Sequence, residues 1–298
     1  MLYLDQLTKT FKGEIRLNEP LANYTSLKLG GPADVFLMPK DKQDVIEAVK
    51  WIKTYNLKYY VLGFGTNLLV SDSGFRGVVI HLSNSLDKIE INNTAVYAEA
   101  GVSLPLLVLE TLKHGLGGME MLGGVPGTLG GAVIMNAGAY GGEIFDVIKK
   151  VEVVRSAEFQ ILQKKEIHYE YRKTDLDKDI VIAAHFELKN GDKDALLDKR
   201  KEMLKKRRES QPLELPNAGS IFKNPQGHFA GALIEKCGLK GYRVGGVSVS
   251  EKHANFLVND KNGTASDMMI LIDHVRKTVK EQFSVELEME VKKLGFEA

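Results

Sequence analysis

Cysteine is almost absent from this sequence, because Cys237 is the single one among 298 residues. One cysteine excludes an intramolecular disulfide and a metal cluster held by several thiolates. The seven histidines show no HExxH-type spacing, so we expect no metal site. Cys237 follows Ile234 in a predicted helix and is interpreted as a core thiol.

An excess of charge of either sign is also missing. The chain has 40 lysines and arginines against 39 aspartates and glutamates, for a formal net charge of +1. This balance gives no general attraction to nucleic acid or to an acidic membrane surface. No apolar run approaches the length of a membrane span, and Met1–Asp5 begins no signal segment. We therefore expect a cytoplasmic protein that binds neither nucleic acid nor a membrane.

The first part of the chain alternates strand and helix patterns. Val35–Met38 is predicted to be a short strand, Asp41 suits a helix N-cap, and the following apolar residues recur at helical spacing on one face. A second strand, Lys58–Leu62, leads directly into the loop Gly63–Gly77. This order is the βαβ pattern, in which loops at strand ends bind nucleotides.

Strand and helix patterns continue along the rest of the chain. The full sequence is 44% hydrophobic and 27% charged, a composition typical of globular proteins. Strands are predicted at Gly77–Leu82, Lys88–Asn92, Ala95–Glu99, Lys149–Val154, Ile180–Leu188, Gly246–Val249, Asn255–Val258 and Val285–Val291. Helices are predicted from Ser103 to Gly115 and over Asp194–Glu209, His228–Cys237 and Ser266–Phe283. The charged run Lys199–Glu209 is interpreted as a solvated helix face.

Two stretches collect glycine. Glu120–Tyr140, EMLGGVPGTLGGAVIMNAGAY, has six glycines and no charge after its first residue. Since glycine weakens helices and strands, such a stretch indicates backbone that approaches a large flat group or a phosphate. Gly63–Leu69, GFGTNLL, follows a strand and offers backbone N–H groups with a Thr hydroxyl and an Asn amide, as a diphosphate cradle does. It fails the GxGxxG fingerprint at Leu68, and ordinary tight turns remain the alternative.

Four motifs in order carry a resemblance to a known family: VLGFGTNLLVSD, GGVPGTLGGAVIMNAGAYGGE, NAGSIFKNP and LEMEVKKLG. Together they resemble the UDP-N-acetylenolpyruvoylglucosamine reductase family over nearly the whole chain. The resemblance implies an α+β fold, with a two-lobed FAD-binding domain of the vanillyl-alcohol-oxidase (PCMH) type and a C-terminal α+β substrate-binding domain. It also implies FAD, NADPH as hydride donor, and UDP-N-acetylglucosamine enolpyruvate as the substrate reduced to UDP-N-acetylmuramate in peptidoglycan precursor synthesis.

The resemblance also implies a domain division. It predicts a first FAD-binding lobe at 1–82 with a tail at about 290–298, a second lobe at 83–208, and the substrate-binding domain at 209–289. The proline-containing linker Ser210–Gly219 supports the last boundary. Arg172 is followed only by KTDLDKDIVIAAHFEL, so the chain resembles the shorter family form that lacks an inserted tyrosine-bearing loop. The glycine loops present no His or Cys tether, so FAD is expected to bind non-covalently.

Three polar residues match catalytic positions of the family: Arg172 in YEYR, Ser220 in NAGS, and Glu290 near the C-terminus. The resemblance implies that Arg172 stabilises negative charge at the substrate carboxylate and that Ser220 donates a proton to C2. It implies that a protonated Glu290 hydrogen-bonds the reacting carboxylate or enol. From the pattern alone, a surface salt bridge for Arg172 and a turn for Ser220 remain alternatives, and Glu288 is the neighbouring choice for Glu290.

The remaining candidates contact the cofactor or the substrate. Cofactor-binding residues are expected to be Gly63, Gly65, Thr66, Asn67, Leu68, Gly123, Gly124, Pro126, Gly127, Gly131, Ala132, Asn136, Gly138 and Ala139. Substrate-binding residues are expected to be Lys223, Asn224, Gln211 and His253. Pro126 is expected in the first turn of a short helix whose N-terminus faces a phosphate.

Two other functions remain open from the sequence. One is a flavin-dependent oxidase of the same fold that acts on another small molecule, and the other is a non-catalytic flavin or nucleotide sensor. The missing covalent tether and the C-terminal motif argue against the oxidase. The three matched polar residues, drawn from separate segments, argue against the sensor.

Overall fold

The computed structural model describes residues 4–83 and 85–296. The chain divides into two compact units, each assembled from three stretches. The first unit comprises Met1–Leu17, Val35–Phe64 and Gly77–Lys205, and the second comprises Asn18–Asp34, Gly65–Arg76 and Lys206–Ala298. The division into two FAD-binding lobes and a substrate-binding domain stays a prediction.

The described residues form seven α-helices and 21 strands. The helices are α1 Leu4–Thr10, α2 Lys42–Thr54, α3 Leu104–Lys113, α4 Leu129–Ile134, α5 Lys193–Ser210, α6 Ala230–Lys236 and α7 Ala265–Phe283. The strands are β1 Glu14–Pro20, β2 Pro32–Met38, β3 Tyr59–Leu62, β4 Leu68–Val70, β5 Phe75–His81, β6 Ile89–Asn92, β7 Ala95–Glu99, β8 Leu116–Gly117, β9 Gly138–Ala139, β10 Gly142–Glu143, β11 Ile148–Arg155, β12 Glu158–Gln163, β13 Tyr169–Glu170, β14 Lys173–Thr174, β15 Ile180–Glu187, β16 Lys189–Asn190, β17 Asn217–Ser220, β18 Arg243–Val244, β19 Val247–Val249, β20 Phe256–Asn259 and β21 Lys292–Leu294. Within residues 4–83 and 85–296, no helix is both long and apolar enough to cross a membrane.

The predicted strand–helix–strand beginning is confirmed by β2, α2 and β3. Asp41 caps α2, because its Oδ1 accepts a hydrogen bond from the Asp44 N–H at 3.0 Å. The apolar face of α2 is buried as its spacing predicts, through Val45, Ala48, Val49 and Ile52. β3 pairs in parallel with β5, and the sheet order β1-β2-β5-β3 places β5 between the two strands that α2 connects.

The core of the first unit packs on an antiparallel sheet in the order β12-β11-β15-β7-β6. β15 is the central strand, and its residues Ile180–Ala184 are all buried. An unbroken apolar run is typical of a strand covered on both faces. Helix α4 packs against β15 and β7. The sheet therefore supports the part of the glycine-rich stretch that forms α4.

The second unit is built on the antiparallel sheet β17-β20-β19-β18, with α7 packed against β18, β19 and α6. Met268, Leu271, Ile272, Val275 and Val279 form the buried face of α7. β4 pairs in parallel with β21, so that Leu68 lies opposite Lys292. The loop predicted to cradle a diphosphate therefore lies beside the C-terminal motif.

Two predicted helix ends are confirmed by backbone geometry. Gly115 and Gly238 each follow a helix with φ of +70°, a left-handed conformation that glycine adopts without a Cβ clash. Gly115 follows α3 and Gly238 follows α6. Glycine at these two positions allows the chain to leave the helix axis directly after the last helical turn.

The alternating segment Val285–Val291 is not the strand that its pattern predicts, since the strand β21 begins only at Lys292. Its backbone makes isolated hydrogen bonds, such as the one from the Glu290 N–H to the Ile221 carbonyl at 2.8 Å. Extended backbone keeps the two-residue side-chain period of a strand even where no regular ladder forms. The prediction of a regular strand is therefore wrong, because among the described residues this segment forms only an isolated antiparallel bridge between Met289 and Phe222.

Asp72 ties the stretch Gly65–Arg76 to the start of α7. Its carboxylate accepts hydrogen bonds from the Ala265 N–H at 2.7 Å and from the N–H and Oγ of Ser266 at 2.9 and 2.7 Å. We expect Asp72→Ala to lower the free energy of unfolding by about 0.5–2 kcal/mol, as loss of a helix cap does. Chemical denaturation at neutral pH measures the difference.

The same interaction predicts a pH dependence. Burial alone would raise the pKa of Asp72, but hydrogen bonds from Ser266 and Ala265 outweigh it and hold this pKa below its usual value. A carboxyl whose folded pKa is depressed stabilises the fold above its unfolded pKa of about 3.9 and loses that effect as pH falls through the folded pKa. The difference between wild type and Asp72→Ala is therefore expected to shrink below about pH 4. A difference that stays constant with pH contradicts this account.

Candidate active site

The glycine-rich stretch of the first unit folds as a 3₁₀ turn at Glu120–Leu122, a connection, and the short helix α4. Thr128 is the N-cap of α4, and its Oγ1 accepts a hydrogen bond from the Gly131 N–H at 3.4 Å. The predicted place of Pro126 is therefore wrong, because it lies two residues ahead of the N-cap. Thr128 supplies the side-chain acceptor that defines the helix start, which proline lacks.

Several glycines of the predicted cofactor site allow segments of the chain to approach each other. A Cβ at Gly63 would lie 2.3 Å from Oγ1 of Thr128, and one at Gly123 would lie 3.0 Å from Nε of Arg200. A Cβ at Gly138 would lie 2.6 Å from a backbone carbonyl. Gly63 and Gly138 therefore leave no room for a Cβ, whereas a Cβ at Gly123 would require the Arg200 side chain to shift by a few tenths of an ångström.

Gly131 differs from these glycines. It is exposed on α4, and within the described residues a Cβ there would meet only Oγ1 of Thr128, at 3.6 Å. Alanine is preferred over glycine in a helix by up to about 1 kcal/mol. Folding therefore gives no reason for glycine at this position, and contact between its bare backbone and a flat group such as an isoalloxazine ring stays a prediction. The other cofactor candidates of this stretch flank it before, within or after α4: Gly124, Gly127, Ala132 and Ala139.

Arg172 lies in the two-residue turn of the hairpin formed by β13 and β14. Its φ is +60°, a region that costs a side-chain-bearing residue about 1–2 kcal/mol. Its Nη2 donates to the Gly138 carbonyl at 2.8 Å, and its guanidinium carbon lies 4.9 Å from the centre of the Tyr171 ring. The half-buried guanidinium is thus held in place by the Tyr171 ring of the hairpin and by the Gly138 carbonyl near the end of the glycine-rich stretch.

Asn136 is enclosed by protein, with 0% of its surface exposed. Its Nδ2 donates to Oε2 of Glu143 at 2.7 Å and to the Glu170 carbonyl at 3.0 Å. Its Oδ1 has no hydrogen-bond partner among residues 4–83 and 85–296. Contact between the Asn136 amide and a cofactor stays a prediction, and the enclosure of this side chain does not favour it.

The second glycine loop belongs to the second unit from Gly65 onward. Gly65 has φ of +59°, and a Cβ there would lie 2.2 Å from the Tyr24 carbonyl oxygen. Thr66 and Asn67 are half-buried, and Leu68 is buried at the start of β4. The Thr66 hydroxyl and the Asn67 amide therefore follow Gly65, a position at which the backbone leaves no space for a side chain.

Asn67, Ser220 and Glu290 are brought together in the second unit. Nδ2 of Asn67 donates to the Glu290 carbonyl at 3.2 Å. The Glu290 N–H donates to the carbonyl of Ile221, the residue after Ser220, at 2.8 Å. Three motifs that are far apart in the sequence therefore meet here. Ser220 and Glu290 are both half-buried.

Two substrate-binding candidates follow Ser220 on the same segment. Nζ of Lys223 forms an ion pair with Oε1 of Glu288 at 2.5 Å. Glu288, the alternative to Glu290 in the sequence, is therefore the partner of this lysine. Oδ1 of Asn224 accepts a hydrogen bond from the Ala230 N–H at the start of α6, at 3.1 Å. Both side chains already have protein partners.

The other two substrate-binding candidates lie elsewhere in the second unit. Oε1 of Gln211 accepts from Nε of Arg207 at 3.0 Å. His253 is half-buried against the Phe256 ring, with ring centres 4.9 Å apart. Burial lowers the pKa of His253, which favours the neutral imidazole. It can donate and accept hydrogen bonds without adding charge.

Ser26 is a further residue of this region that the sequence motifs did not indicate. The Ser26 N–H donates to the Gly65 carbonyl at 3.1 Å, and its Oγ donates to the Asn217 carbonyl at 2.6 Å. Ser26 thus joins the glycine loop to the strand that ends at Ser220. The glycine pair Gly30-Gly31 was the available signal that this segment packs closely against other backbone.

The prediction that α5 presents a solvated face is confirmed, because none of its residues is fully buried. The helix nevertheless braces the glycine-rich stretch. Nζ of Lys199 bonds to Oε1 of Glu120 at 2.7 Å, and the Tyr140 hydroxyl donates to the Met203 carbonyl at 3.0 Å. One contact lies at each end of the stretch.

Comparison with known proteins decides the family. Residues 211–294 match the UDP-N-acetylenolpyruvoylglucosamine reductase C-terminal domain, and residues 33–158 match an FAD binding domain. The UDP-N-acetylenolpyruvoylglucosamine reductase of Chloroherpeton thalassium is 47% identical over 305 residues, which cover 99% of this chain and 98% of that protein. This chain belongs to the UDP-N-acetylenolpyruvoylglucosamine reductase family. The reductase of Caldanaerobacter subterraneus subsp. tengcongensis is 44% identical, with 99% and 98% covered.

Solved structures agree with the family. UDP-N-acetylenolpyruvylglucosamine reductase from Thermus caldophilus has a TM-score of 0.82 at 35% identity, covering 95% of this chain and 99% of that chain. A berberine bridge enzyme variant shares the fold alone, with a TM-score of 0.50 at 13% identity over 64% of this chain and 44% of that chain. The family fold is α+β, with a two-lobed FAD-binding domain of the vanillyl-alcohol-oxidase type and a C-terminal α+β domain.

Gly131 gives a direct test of the cofactor site. We expect Gly131→Ala to raise the thermal midpoint of the FAD-free protein by roughly 1–3 °C, because alanine stabilises α4 and its Cβ has room. We expect the same change to weaken FAD binding about tenfold or more, because the Cβ fills space that the cofactor uses. Calorimetry of the FAD-free protein and titration with FAD measure the two effects.

Gly130→Ala is the matched control on the same helix. Its Cβ would lie 3.0 Å from Cβ of Ala100 and 3.3 Å from the Ala100 carbonyl oxygen, so it is expected to lower the stability of the FAD-free protein. If Gly131→Ala leaves FAD affinity unchanged, the exposed backbone of α4 is not part of the cofactor site.

Proposed function

We propose that this chain is a flavin-dependent oxidoreductase that uses NADPH to reduce UDP-N-acetylglucosamine enolpyruvate to UDP-N-acetylmuramate. The observation that carries the proposal is the match over 99% of the chain, at 47% and 44% identity, to two reductases named for this substrate. The match at 211–294 extends it to the domain that separates this family from other flavoproteins of the fold. The reaction belongs to peptidoglycan precursor synthesis, whose nucleotide-linked substrates support a cytoplasmic location.

FAD is the cofactor and binds without a covalent bond, since neither glycine-rich stretch carries a histidine or cysteine. When bound, FAD supplies the relay that takes a hydride from NADPH and delivers it to C3 of the enolpyruvyl group. The exposed backbone of Gly131 supports this assignment in the first unit. In the second unit, the Thr66 hydroxyl and the Asn67 amide offer polar contacts. The residues that hold the cofactor are Gly63, Gly65, Thr66, Asn67, Leu68, Gly123, Gly124, Gly127, Gly131, Ala132, Gly138 and Ala139, with Pro126 ahead of α4.

Arg172 stabilises the negative charge that develops on the substrate carboxylate. A guanidinium stays charged at every working pH and carries five N–H donors, and Nη2 of Arg172 donates to the Gly138 carbonyl. Its planar fork matches two carboxylate oxygens at once. The positive φ of Arg172 supports a functional role, because a strained backbone is kept where it directs a side chain.

Ser220 donates the proton that C2 requires after hydride reaches C3. A hydroxyl is a weak acid, but a carbanionic C2 is a sufficiently strong base to take its proton. Glu290 hydrogen-bonds the reacting carboxylate or enol in its protonated form. Their adjacent backbones, joined through Ile221, support the assignment of both residues to the same reacting group.

The UDP-sugar is bound by residues of the second unit. Lys223 and Asn224 follow Ser220 and offer a cation and an amide to the sugar or the diphosphate. Gln211 and His253 contribute neutral hydrogen-bonding groups. Because burial lowers the pKa of His253, we expect its imidazole to contribute hydrogen bonds to the substrate rather than a positive charge that attracts the diphosphate.

The purified protein tests this function directly. It is expected to be yellow, with bound FAD released by denaturation, and to oxidise NADPH only when the UDP-enolpyruvyl sugar is present. The absorbance of NADPH with and without the sugar measures this dependence. NADPH oxidation by oxygen at an equal rate without the sugar indicates an oxidase, and a colourless protein contradicts the proposal.

Ser220 separates the two half-reactions. Flavin reduction by NADPH needs no proton at C2, so Ser220→Ala is expected to reduce its flavin at nearly the wild-type rate. Reoxidation by the UDP-enolpyruvyl sugar is expected to slow about 10²–10⁴-fold, the usual effect of losing a general acid. Reduced flavin then accumulates during turnover. Stopped-flow absorbance measures each half-reaction separately.

Arg172→Lys provides the comparison for Ser220→Ala. It is expected to slow the same half-reaction, because a point charge does not reproduce a bidentate fork. If Ser220→Ala instead slows flavin reduction, or leaves reoxidation intact, Ser220 is a turn residue and the proton comes from another group.

A further inference from the structure

Asn136 lies at the centre of a hydrogen-bond network that the proposed reaction does not use. Both hydrogens of its Nδ2 are engaged, one by Oε2 of Glu143 at 2.7 Å and the other by the Glu170 carbonyl at 3.0 Å. Both partners are acceptors, so only the NH₂ group of the amide satisfies them and the orientation of the amide is fixed. An enclosed side chain with this pattern is a structural link between segments.

The segments that Asn136 links include the hairpin of Arg172. Asn136 holds the strand before the turn at Glu170, and Oγ1 of Thr174 holds the strand after the turn by donating to the Ile134 carbonyl at 2.9 Å. Ile134 ends α4, and Asn136 follows it by two residues. Both arms of the hairpin are therefore anchored to the chain that leaves α4.

Gly138 provides a third anchor, on Arg172 itself. Its carbonyl accepts from Nη2 of Arg172 at 2.8 Å. A Cβ at Gly138 would lie 3.0 Å from Cγ of Glu143 and 3.2 Å from Nη1 of Arg172. Because glycine has no Cβ, position 138 leaves space for both the Glu143 side chain and the Arg172 guanidinium.

The residue types suit this role. Asn136 has φ of +38°, and asparagine tolerates the left-handed region better than other side-chain-bearing residues. Glu143 is itself held, because its side chain accepts from the Asp146 N–H in the capping box of the turn Ile144–Asp146. A fixed carboxylate therefore orients a fixed amide, which anchors the hairpin.

We propose that Asn136 is a positioning residue for Arg172, oriented by Glu143, rather than a ligand of the cofactor. The inference rests on the proposed function, in which Arg172 meets the substrate carboxylate. Misplacement of a reacting group by about 1 Å costs about 10²-fold in rate. Loss of the Asn136 donors therefore acts on the step that uses Arg172 and leaves the other half-reaction unchanged.

Two variants remove the link in different ways. Asn136→Asp keeps the size and the backbone tolerance of asparagine and replaces the double donor by a second carboxyl beside Glu143. Asn136→Gly keeps the positive φ and removes the side chain. Thr111→Val is the matched control in the same unit, because it deletes another fully buried side-chain bond, from Thr111 Oγ1 to the Val108 carbonyl at 2.8 Å.

The holoenzyme variants are tested by half-reaction. Flavin reduction by NADPH is expected to be unchanged, and reoxidation by the UDP-enolpyruvyl sugar is expected to slow about 10²-fold in both Asn136 variants. In an Arg172→Lys background, the same Asn136 changes are expected to add less than about twofold, because residues that act as one unit give non-additive effects. Thr111→Val is expected to leave both half-reactions unchanged.

A second measurement does not depend on turnover. In holoenzyme labelled with ¹⁵N-arginine, the side-chain resonance of Arg172 is identified by its loss in Arg172→Lys. It is expected to shift and broaden in both Asn136 variants and to remain in place in Thr111→Val. Glu143→Gln keeps one acceptor for the Asn136 amide. It is therefore expected to retain the wild-type line width of the Arg172 resonance and the wild-type rate of reoxidation.

The outcomes distinguish the inference from the function on which it rests. If wild-type reduced flavin is not reoxidised by the UDP-enolpyruvyl sugar, the proposed function fails. If wild type is reoxidised and the Asn136 variants match it, the inference fails. It also fails if the Asn136 and Arg172 effects add fully, or if the Arg172 resonance is unchanged while FAD affinity falls, which assigns Asn136 to the cofactor.

Discussion

Close approach of backbone at glycine is the constraint on which the rest of this structure depends. In the first unit, Gly63 leaves no room for a Cβ beside Oγ1 of Thr128, the residue that caps α4. In the second unit, Gly65 lies against the Tyr24 carbonyl with similarly little space. Gly63 and Gly65 are the two ends of the tripeptide Gly63-Phe64-Gly65, and a side chain at either end would disrupt these contacts. A loop held this firmly can present the following hydroxyl and amide in one arrangement.

Primary amides make the second set of constraints. Asn67 reaches the Glu290 carbonyl, Asn255 both donates to and accepts from the backbone of Phe222, and Asn136 donates twice. An amide offers donors and acceptors without charge, so it can link buried backbone segments without the large cost of burying an ion. Charged groups are used differently, since most ion pairs of the described residues lie at the surface, where each contributes little to stability.

Much of the fold and of the site was predictable because its signals are local. The Asp41 cap, the apolar face of α2 and the glycine after α3 each depend on residues within a few positions of one another. The family motifs point to Arg172, Ser220 and the glycine-rich stretches in the same way, because each motif is a short continuous segment. The failures were also local patterns. The alternation of Val285–Val291 indicates an extended chain, but whether it pairs as a strand depends on which neighbours it finds.

The sequence by itself indicated the family, the cofactor class and many of the helices and strands, and it supplied the residues that we propose to bear the chemistry. The tertiary structure alone decided how those residues are held. The bond between Asn67 and Glu290 joins positions 223 residues apart, and the anchoring of the Arg172 hairpin to the end of α4 spans 34 residues at Asn136. No periodicity or spacing encodes such pairs, because a hydrogen bond across the fold depends on where every intervening element has packed.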